Sequence, residues 1–492
     1  MELIAREIDI GTPSPTVILH DADAEELGAH PLDRIQIRLD GRTYTGIVET
    51  TSELVDQGTL AVTNRLGHVT GPVTVSLASK PASVAFIREK LKDHELERAE
   101  IDTIVRDINR HRLNDVELGA YVSALYANGL THAEMRHLTE SMSETGETLE
   151  WDLDVVADKH SIGGVAGNRV TPIVIPIVAA AGVTIPKTSS RAITSPAGTA
   201  DTMAVFCDVS FSVEEIRDVV RETGGCLVWG GGVDLSPVDD KIIRAENPLS
   251  VDPPGQIIAS VLSKKKSAGA NRVIIDLPYG ENAKVTSLSE ARDLARDFRR
   301  VAEHLDLEIA CTITRGSQPI GDGIGPVLEA RDVLAVLEGE GPGELRLKSI
   351  RLADILLELC GVEADAASIL DGGDALAKFR QIVAAQGGDP EVTRDDLTPG
   401  RHSHVVTASK SGIVTAVQNR HISDIARHAG APRDAGAGLV LRCDEGDEVE
   451  RGDELYTIYA ENAGKLADAV EFETDVQAIR IGDPDEALIE RV

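Results

Sequence analysis

Two polar segments decide how this chain is expected to fold: residues 159–164, with the sequence KHSIGG, and residues 189–201, with the sequence SSRAITSPAGTAD. Each places small residues, hydroxyl groups and a cation where a β-strand is expected to meet a helix. Backbone N–H groups and the start of a helix can surround a phosphate in that position. The chain therefore has two candidate phosphate cradles, which indicates a ligand set with two phosphate groups.

The first cradle contains the residue types that a phosphate site needs. Gly163 and Gly164 carry no side chain, so the backbone can approach an oxygen closely, and Lys159 beside Ser161 supplies a positive charge. The alternative interpretation is an ordinary strand-to-helix turn with a surface lysine.

The second cradle is unusually rich in hydroxyl groups. Five of them surround Arg191, and they belong to Ser189, Ser190, Thr194, Ser195 and Thr199. This density does not suit a core strand, and it suits the oxygens of a ribose or a phosphate. A plain helix-capping loop is the alternative, because Ser and Thr also favour helix starts.

A third segment, residues 251–266, predicts a helix that begins near Asp252 and its two following prolines. Ser260 and Lys264 lie four residues apart and therefore share one face of that helix. The alternatives are a capping role for Asp252 and a solvated helix end for the lysine run that starts at Lys264.

The hydrophobic pattern predicts a multidomain α/β protein with four parts. Residues 1–82 alternate with the period of a strand and predict an N-terminal β-barrel. Residues 83–150 have helical spacing and predict a helical domain to which later helices return. Residues 151–388 predict the α/β catalytic domain, a mixed or parallel sheet covered by helices, with ligands beyond the carboxyl ends of the strands. Residues 389–492 predict a C-terminal α+β domain.

Within the last two parts, several segments are predicted individually. The apolar runs expected as strands are 155–158, 173–181, 226–229, 272–277 and 308–313, the later helical stretch is 325–386, and the linker is 389–404.

Composition excludes several classes of function. Acidic residues outnumber basic ones by 82 to 49, and the net charge of −33 opposes binding to nucleic acid or to an anionic membrane. The acids are spread along the chain as a solvated surface, which suits a salt-rich cytoplasm. Five isolated cysteines predict reduced thiols in the core and no metal site. The sequence begins without a signal peptide and has no apolar run long enough to span a bilayer, which predicts a soluble cytoplasmic protein.

The two cradles, together with residues 260–265, SVLSKK, resemble the thymidine and pyrimidine-nucleoside phosphorylase family from about Ser83 to the C-terminus. The added N-terminal barrel and residues 190–195, SRAITS, resemble the archaeal AMP phosphorylases within that family, which accept nucleoside 5′-monophosphates. Bacterial nucleoside phosphorylases have glycine at the position of Ser190, and the hydroxyl-rich version here suits the additional 5′-phosphate.

This resemblance implies a pentosyltransferase that converts AMP and phosphate to adenine and ribose 1,5-bisphosphate, with CMP and UMP as further substrates. It implies no cofactor and no metal, a homo-oligomer that is a dimer or larger, and a role in nucleotide salvage. The segment 412–458 also resembles a barrel-and-hammerhead module related to lipoyl carriers, but it has Glu445-Gly446-Asp447 where a carrier would offer a modified lysine.

The resemblance also implies roles for individual residues. Asp252 is the expected proton donor, His160 is expected near the base and sugar, and Lys264 matches a base-site lysine. The positions expected to hold inorganic phosphate are Lys159, Ser161, Ser189 and Thr199. The positions expected to contact the nucleotide are Gly164, Ser190, Arg191, Ala192, Ile193, Thr194, Ser195, Thr199, Ser260 and Lys284.

Three positions depart from the pattern of the nucleoside enzymes. Ala245 stands where those enzymes have a base-reading arginine, which disfavours their readout of uracil-type bases. Ala204, which follows the second cradle, replaces a glutamate, and Pro196 within the cradle replaces a threonine. Both changes predict altered helix packing without loss of the phosphate donors.

Three other functions stay open at this level. The chain could cleave pyrimidine nucleosides, it could transfer a phosphoribosyl group with Mg²⁺, or it could be a nucleotide-binding scaffold without activity. The pair Asp239-Asp240 could hold Mg²⁺ in the second case, although surface carboxylates are the commoner interpretation of such a pair.

Overall fold

The computed structural model describes residues 1–192, 195–233, 235–281 and 283–482. They form two compact units, of which the first combines Met1–Gly146 with Ser236–Ser263. The second combines Glu147–Leu235 with Lys264–Val492.

The first unit begins with a closed six-stranded barrel and a short helix. In chain order the elements are β1 (Glu2–Ile8), β2 (Thr16–His20), α1 (Asp21–Leu27), β3 (Arg34–Leu39), β4 (Arg42–Thr51), β5 (Thr59–Thr63) and β6 (Gly71–Leu77). Around the barrel the strand order is β1-β5-β2-β4-β3-β6. Ile35 and Ile37 of β3 and Val73 and Val75 of β6 fill its interior, because alternate residues of a strand point to the same side. The predicted barrel is confirmed.

A helical bundle follows at Ser83, the residue where the periodicity changes. Its helices are α2 (Ser83–Leu91), α3 (Arg98–Asn109), α4 (Asp115–Asn128) and α5 (His132–Ser143). Asn114 with Glu117 and Thr131 with Glu134 form capping boxes that start α4 and α5.

The chain then alternates strands and helices. The elements are β7 (Ala157–Ser161), α6 (Thr171–Ala180), β8 (Ile185–Ser189), α7 (Thr199–Met203), α8 (Val213–Thr223), β9 (Gly225–Trp229), α9 (Pro237–Glu246), α10 (Pro254–Ser267), β10 (Arg272–Tyr279), α11 (Leu288–Ala302), β11 (Glu308–Arg315) and β12 (Gly323–Ile324). Val238 and Ile242 of α9 and Ala259 of α10 join the core of the helical bundle. Later helices therefore return to it.

The central strands are parallel to one another. A three-stranded sheet has the order β11-β10-β7, and β8 pairs with β9. A parallel bridge from Val156 to Thr184 joins the two groups, which gives the order β11-β10-β7-β8-β9. The direction of winding thus reverses between β7 and β10, and that reversal marks where a ligand is expected in an open α/β sheet.

One predicted strand is wrong. Residues 173–181 lie almost entirely in helix α6, whose residues from Thr171 to Ala179 are all buried. A helix that is apolar on every side has no amphipathic period, so its sequence is indistinguishable from a buried strand.

Four helices occupy the stretch predicted as helical: α12 (Pro326–Leu337), α13 (Gly343–Leu359), α14 (Ala366–Asp371) and α15 (Asp374–Ala385). The C-terminal α+β part contains β13 (His402–Thr407), β14 (Gly412–Val417), α16 (Asn419–His428), β15 (Gly438–Leu441), β16 (Glu448–Val449), β17 (Glu454–Ala460), α17 (Ala463–Val476) and β18 (Ile479–Gly482). Short 3₁₀ helices lie at Asn64–Leu66, Gly230–Gly232 and Asn247–Leu249.

The C-terminal part is built on two sheets, with the orders β12-β15-β17-β13 and β16-β14-β18. Strand β12 comes from before α12, so one strand of the first sheet is supplied by an earlier region of the chain. Strand β13 begins at His402 and pairs with β17, so the linker ends at residue 401, three residues before the predicted end at residue 404. The four domain boundaries themselves stay predictions.

Two sequence expectations concern thiols and membranes. All five cysteines are free; Cys207, Cys226 and Cys443 are buried, while Cys311 and Cys360 are partly exposed. In the described ranges, no helix combines the length and apolarity that crossing a bilayer requires.

His111, in the turn after α3, predicts an acid-dependent loss of stability. Burial and the charges of Lys241, Arg65 and Arg244 lower its pKa from 6.5 to about 4. Between these values the unfolded chain binds more protons than the folded chain, so stability falls as the pH falls through this window. We expect His111→Asn, which tolerates the φ of 53° at this position, to make the melting temperature less dependent on pH between 6.5 and 4.

Thermal melts at several pH values in this range check the prediction. Replacement of the exposed His30 by Asn is the matched control, and it should leave the pH dependence of the melting temperature as it is. The prediction is wrong if His111→Asn and the native protein lose stability equally on acidification.

Candidate active site

The candidate site lies at the carboxyl edge of the parallel sheet, where the winding reverses. Strand β7 ends in Lys159, His160 and Ser161, and Asp276 of the neighbouring β10 pairs in register with Ser161. The next strand, β8, ends at Ser189. Because parallel strands end at one edge, the two predicted cradles lie side by side.

Lys159 is buried and is not a surface lysine. Its side chain is 1% exposed, and Nζ donates to Ser161 Oγ at 2.5 Å and to Thr171 Oγ1 at 3.1 Å. Burial lowers the pKa of Lys159 well below its usual value, while Asp276 opposes that shift. The alternative of an exposed lysine on an ordinary turn is therefore wrong. An anion beside Nζ would stabilise the charged form.

Asp276 organises the hydroxyl groups beside Lys159. Ser161 Oγ donates to its Oδ2 at 2.7 Å, Thr314 Oγ1 donates to its Oδ1 at 2.6 Å, and Lys348 Nζ lies 2.9 Å from Oδ2. Burial raises the pKa of Asp276, but the charges of Lys348 and Lys159 outweigh that effect, and its pKa is lowered. The carboxylate thus stays ionised and fixes the direction of the Ser161 hydroxyl.

A second buried carboxylate, Asp158, lies one residue before Lys159. It accepts from Lys265 Nζ at 2.6 Å, and Lys187 Nζ lies 3.4 Å away. Burial lowers the pKa of Lys187 to about 7, although Asp158 opposes the shift. These contacts tie β7 to β8 and to the end of α10.

His160 sits in a strongly positive environment. Burial is the main cause that lowers its pKa well below the usual value, and the charges of Lys265 and Lys187 add to it. The imidazole is therefore neutral at physiological pH. A neutral ring can donate a hydrogen bond from one nitrogen and accept one at the other.

The glycine turn of the first cradle is closed by Lys284. Gly164 has a φ of +100°, and a Cβ atom there would lie 2.5 Å from Lys284 N. Only glycine fits this backbone and this approach. The structure therefore brings together two residues that are more than a hundred positions apart and that were both predicted to contact the nucleotide; Lys284 itself is exposed.

Ser189 offers an unoccupied hydroxyl to the second cradle. Its Oγ is inaccessible to solvent and has no hydrogen-bond partner among the described residues. Buried polar atoms without a partner are rare in folded proteins. The position at the end of β8, beside the first cradle, suits an oxygen of a bound anion.

Asp201 folds the rest of this cradle into a compact loop. Its Oδ2 accepts from Ala192 N at 2.6 Å and Gly198 N at 2.9 Å, and its Oδ1 accepts from Arg191 Nη1 at 3.1 Å. The guanidinium of Arg191 also lies 5.2 Å from the centre of the Trp229 ring. Both interactions hold Arg191 over the loop.

Within this loop, Ser190 is exposed and Ser195 Oγ donates to Ala197 O at 3.1 Å. Ile193 and Thr194, which were also predicted to contact the nucleotide, lie outside the described residues. The nucleotide contacts of all the loop residues stay predictions.

An ion pair that the sequence analysis missed supports Thr199. Arg169 pairs with the fully buried Glu329, donates to Ala197 O at 2.5 Å and lies 3.4 Å from Thr199 Oγ1. Glu329 also accepts from Thr202 Oγ1 at 3.1 Å. Burial raises the pKa of Glu329, while Arg169 opposes the shift. The sequence contains one local indication of this ion pair, the charged residue Arg169 a few positions after the glycine turn.

The remaining predicted residues lie on or before α10. Asp252 and Ser260 belong to the first unit, where Asp252 is exposed and precedes the helix by one residue, Pro253. Lys264 belongs to the second unit and contributes to the positive potential at His160. The helix begins where the sequence predicts, and the roles of Asp252 and Ser260 stay predictions.

The acidic pair considered for Mg²⁺ is not a pair of surface carboxylates. Asp239 is fully buried, with Gln256 Nε2 at 3.4 Å from its Oδ1, whereas Asp240 is exposed. Across the described ranges, no three His, Cys, Asp or Glu side chains gather into a metal-binding cluster.

The charges at this edge favour an anion despite the acidity of the whole chain. The buried or nearly buried cations are Lys159, Lys187, Lys265, Lys348 and Arg169, and the carboxylates that pair with them are Asp158, Asp276 and Glu329. Five basic side chains thus share the region with three carboxylates. A bound anion that favours the charged forms of Lys159 and Lys187 would make this region locally positive.

Three family models match the chain. Residues 84–146 match the helical bundle domain of a glycosyl transferase family, and residues 153–330 match the a/b domain of the same family. Residues 413–478 match the pyrimidine nucleoside phosphorylase C-terminal domain. A crystal structure of anthranilate phosphoribosyltransferase from Thermus thermophilus has a similar fold, with a TM-score of 0.54, 18% identity and coverage of 61% of this chain and 99% of that chain.

Similarity to curated proteins extends over the full length. An AMP phosphorylase from Natronomonas pharaonis is 60% identical over an alignment of 499 positions that covers 100% of both chains. An AMP phosphorylase from Thermococcus kodakarensis is 44% identical over 98% of both chains. With barrel, bundle, sheet and C-terminal part all matched in one alignment, the chain belongs to the AMP phosphorylase family.

Proposed function

We propose that this protein catalyses the phosphorolysis of AMP, in which AMP and phosphate give adenine and ribose 1,5-bisphosphate. The observation that carries the proposal is the pair of neighbouring strand ends at the carboxyl edge. Strand β7 offers the buried ammonium of Lys159, and β8 offers the unpartnered hydroxyl of Ser189. Full-length similarity to AMP phosphorylases supports it.

The reaction requires two anions at opposite ends of one ribose. An oxygen of inorganic phosphate forms a bond to the anomeric carbon while the bond from that carbon to N9 of adenine breaks. The bonding electron pair leaves with the adenine, which takes up a proton. Positive charge develops on the sugar in the transition state, and the phosphate stabilises it, so the protein mainly positions the phosphate and shields its charge.

We assign the inorganic phosphate to Lys159, Ser161, Ser189 and Thr199. Asp276 and Arg169 support this assignment because they hold Ser161 and Thr199 in place. The 5′-phosphate of the nucleotide is assigned to the loop formed by residues 190–195, with Gly164 and Lys284 beside it. The neutral ring of His160 then faces the base and sugar as a hydrogen-bonding group without charge.

Asp252 is the proposed proton donor to the base. Ser260 and Lys264 of α10 are proposed to contact the nucleotide, with Lys264 on the base side. The departing adenine needs a proton because a purine anion is a poor leaving group. A carboxyl group that acts as an acid at neutral pH needs an environment poor in water. The proposed role of Asp252 therefore requires that water be excluded around its carboxyl group during the reaction.

Finer features of the protein are part of the same proposal. CMP and UMP are further substrates, the protein is a homo-oligomer, and it acts in the cytoplasm. The C-terminal α+β part is a barrel-and-hammerhead module, an inference that its two small sheets support.

A second candidate function is phosphorolysis of pyrimidine nucleosides. The match of residues 413–478 to the pyrimidine nucleoside phosphorylase C-terminal domain favours it. Ala245, where nucleoside enzymes have a base-reading arginine, argues against it.

Replacing Asp252 by Asn tests the proton donor. We expect kcat for adenine release to fall about 10²- to 10⁴-fold, while KM for AMP changes little, because the amide keeps the shape but has no acidic proton to give. Steady-state rates of adenine release measure both constants. Asp218→Asn on the surface of α8, where the aspartate is 74% exposed, is the control, and a native kcat in Asp252→Asn would refute the role.

Replacing Ser189 by Ala tests the phosphate subsite. The variant should raise KM for inorganic phosphate about tenfold or more, since a hydrogen bond to a charged group contributes about 1.5–3 kcal/mol. Rates at varied phosphate and saturating AMP give the constant. Ser143→Ala is the control, because the hydroxyl of that buried serine donates to Glu140 O within its own helix, α5. An unchanged KM for phosphate in Ser189→Ala contradicts the assignment.

A paired assay separates the candidate functions. With phosphate present, AMP should yield free base at least about 10²-fold faster than thymidine or uridine. Only AMP has a 5′-phosphate for the loop of residues 190–195, and a missing charged contact costs about 1.5–3 kcal/mol. Treatment with a chelator should leave the AMP rate unchanged. Faster cleavage of a nucleoside would support the second candidate, and loss of activity in chelator would support phosphoribosyl transfer.

A further inference from the structure

A side chain of the C-terminal part reaches into the backbone beside the first cradle. Asn419, the first residue of α16, is 1% exposed. Its Oδ1 accepts from Ala166 N at 3.1 Å, and its Nδ2 donates to Gly316 O at 3.0 Å. Ala166 follows the KHSIGG segment by two residues, and Gly316 follows β11 at the same edge of the sheet. One amide group therefore joins two loops that border the site.

The same stretch of backbone is fixed from a second direction. Ile320 N donates to Ala166 O at 3.0 Å, so both polar backbone groups of Ala166 have partners. Gly167 has a φ of +67°, and a Cβ atom there would lie 2.5 Å from Ile320 O. The loop between Gly164 and Arg169 consequently has little room to move while these contacts hold.

Asparagine is the side chain that satisfies both contacts. Ala166 N requires an acceptor and Gly316 O requires a donor, and the amide of Asn419 presents one of each at fixed separation. Aspartate keeps the acceptor and has no donor, and leucine has neither. Without the amide, a buried N–H and a buried C=O would lose their partners, so the loop would move to recover them.

We infer that Asn419 is a positioning residue for phosphate. By holding Ala166, it sets the path of the backbone that connects the Lys159 cradle to Arg169 and through it to Thr199. The C-terminal part thus controls the affinity for inorganic phosphate although it supplies none of the proposed substrate contacts. This inference rests on the proposed function for the identity of the anion.

The same two regions also meet at an outer contact, which offers a matched control. Arg315 Nη2 lies 2.9 Å from the carboxylate of Glu445, and Arg315 is 64% exposed. Glu445→Gln breaks this exposed ion pair and leaves Asn419 in place. Exposed ion pairs contribute little to stability. Glu445→Gln therefore removes a contact between the same two regions while Ala166 keeps its hydrogen bond to Asn419.

The test compares the full-length native protein with Asn419→Leu, Asn419→Asp and Glu445→Gln. Titration calorimetry with inorganic phosphate alone gives Kd, and steady-state assays give KM for phosphate and kcat. In Asn419→Leu we expect Kd and KM for phosphate to rise about tenfold, with kcat at saturating phosphate within about twofold of native. In Asn419→Asp the Kd and KM for phosphate should rise less. In Glu445→Gln both constants should equal those of the native protein.

Two results would overturn the inference: a phosphate Kd within twofold of native in Asn419→Leu, or an equal rise in Glu445→Gln. If Asn419→Leu does not fold, the same criterion applies to Asn419→Asp: a phosphate Kd more than twofold above the native value supports the inference, and a Kd within twofold of native overturns it. Phosphate binding is measured without turnover. If the native protein releases no adenine but Asn419→Leu binds phosphate more weakly than native, the positioning role is supported and the proposed function is refuted. If the native protein releases adenine and Asn419→Leu binds phosphate with native Kd, the proposed function is supported and the positioning role is refuted.

Discussion

Burial of charge at the end of β7 is the constraint on which the rest of this structure depends. Asp158 and Asp276 are both fully buried, and each is stabilised by lysines from other elements. Removing one partner from such a buried pair leaves an uncompensated charge and costs about 3–5 kcal/mol. The strand therefore cannot shift, and Lys159 and Ser161, which follow Asp158, are held at the edge of the sheet with it.

The same arrangement explains how a chain with a net charge of −33 can attract anions. Surface carboxylates are separated from the site by water and salt, which screen them over about 10 Å. The buried basic side chains are screened much less, and they outnumber the carboxylates that pair with them. Among the described residues, Lys159 Nζ donates to two hydroxyl groups, so a bound phosphate would favour the charged form of this lysine. Ligand binding and local stability are coupled in this way.

Different parts of the chain supply chemistry and support. The glycine turn and the hydroxyl-rich loop contain the groups that are proposed to bind phosphate. Asp201, Glu329 and Asn419 accept hydrogen bonds from residues next to those groups and so hold the backbone in place. Asn419 belongs to a part that has its own core and no predicted substrate residue. Such supporting residues determine the distances between the hydrogen-bond donors and the oxygens of a bound phosphate. The affinity for phosphate is sensitive to changes of a few tenths of an ångström in those distances.

The sequence by itself determined the features that depend on local patterns. Alternation predicted the barrel, helical spacing predicted the bundle from Ser83, and glycines with hydroxyl groups marked both cradles, because each signal is carried by neighbouring residues. The tertiary structure alone decided the rest. Residues 173–181 show no helical periodicity because α6 is buried on every side, so only the structure identifies them as a helix. The partners of Ser161, Thr199 and Ala166 come from other parts of the chain, Asp276, Arg169 and Asn419 respectively. No local pattern records which distant side chain will fill a buried hydrogen bond.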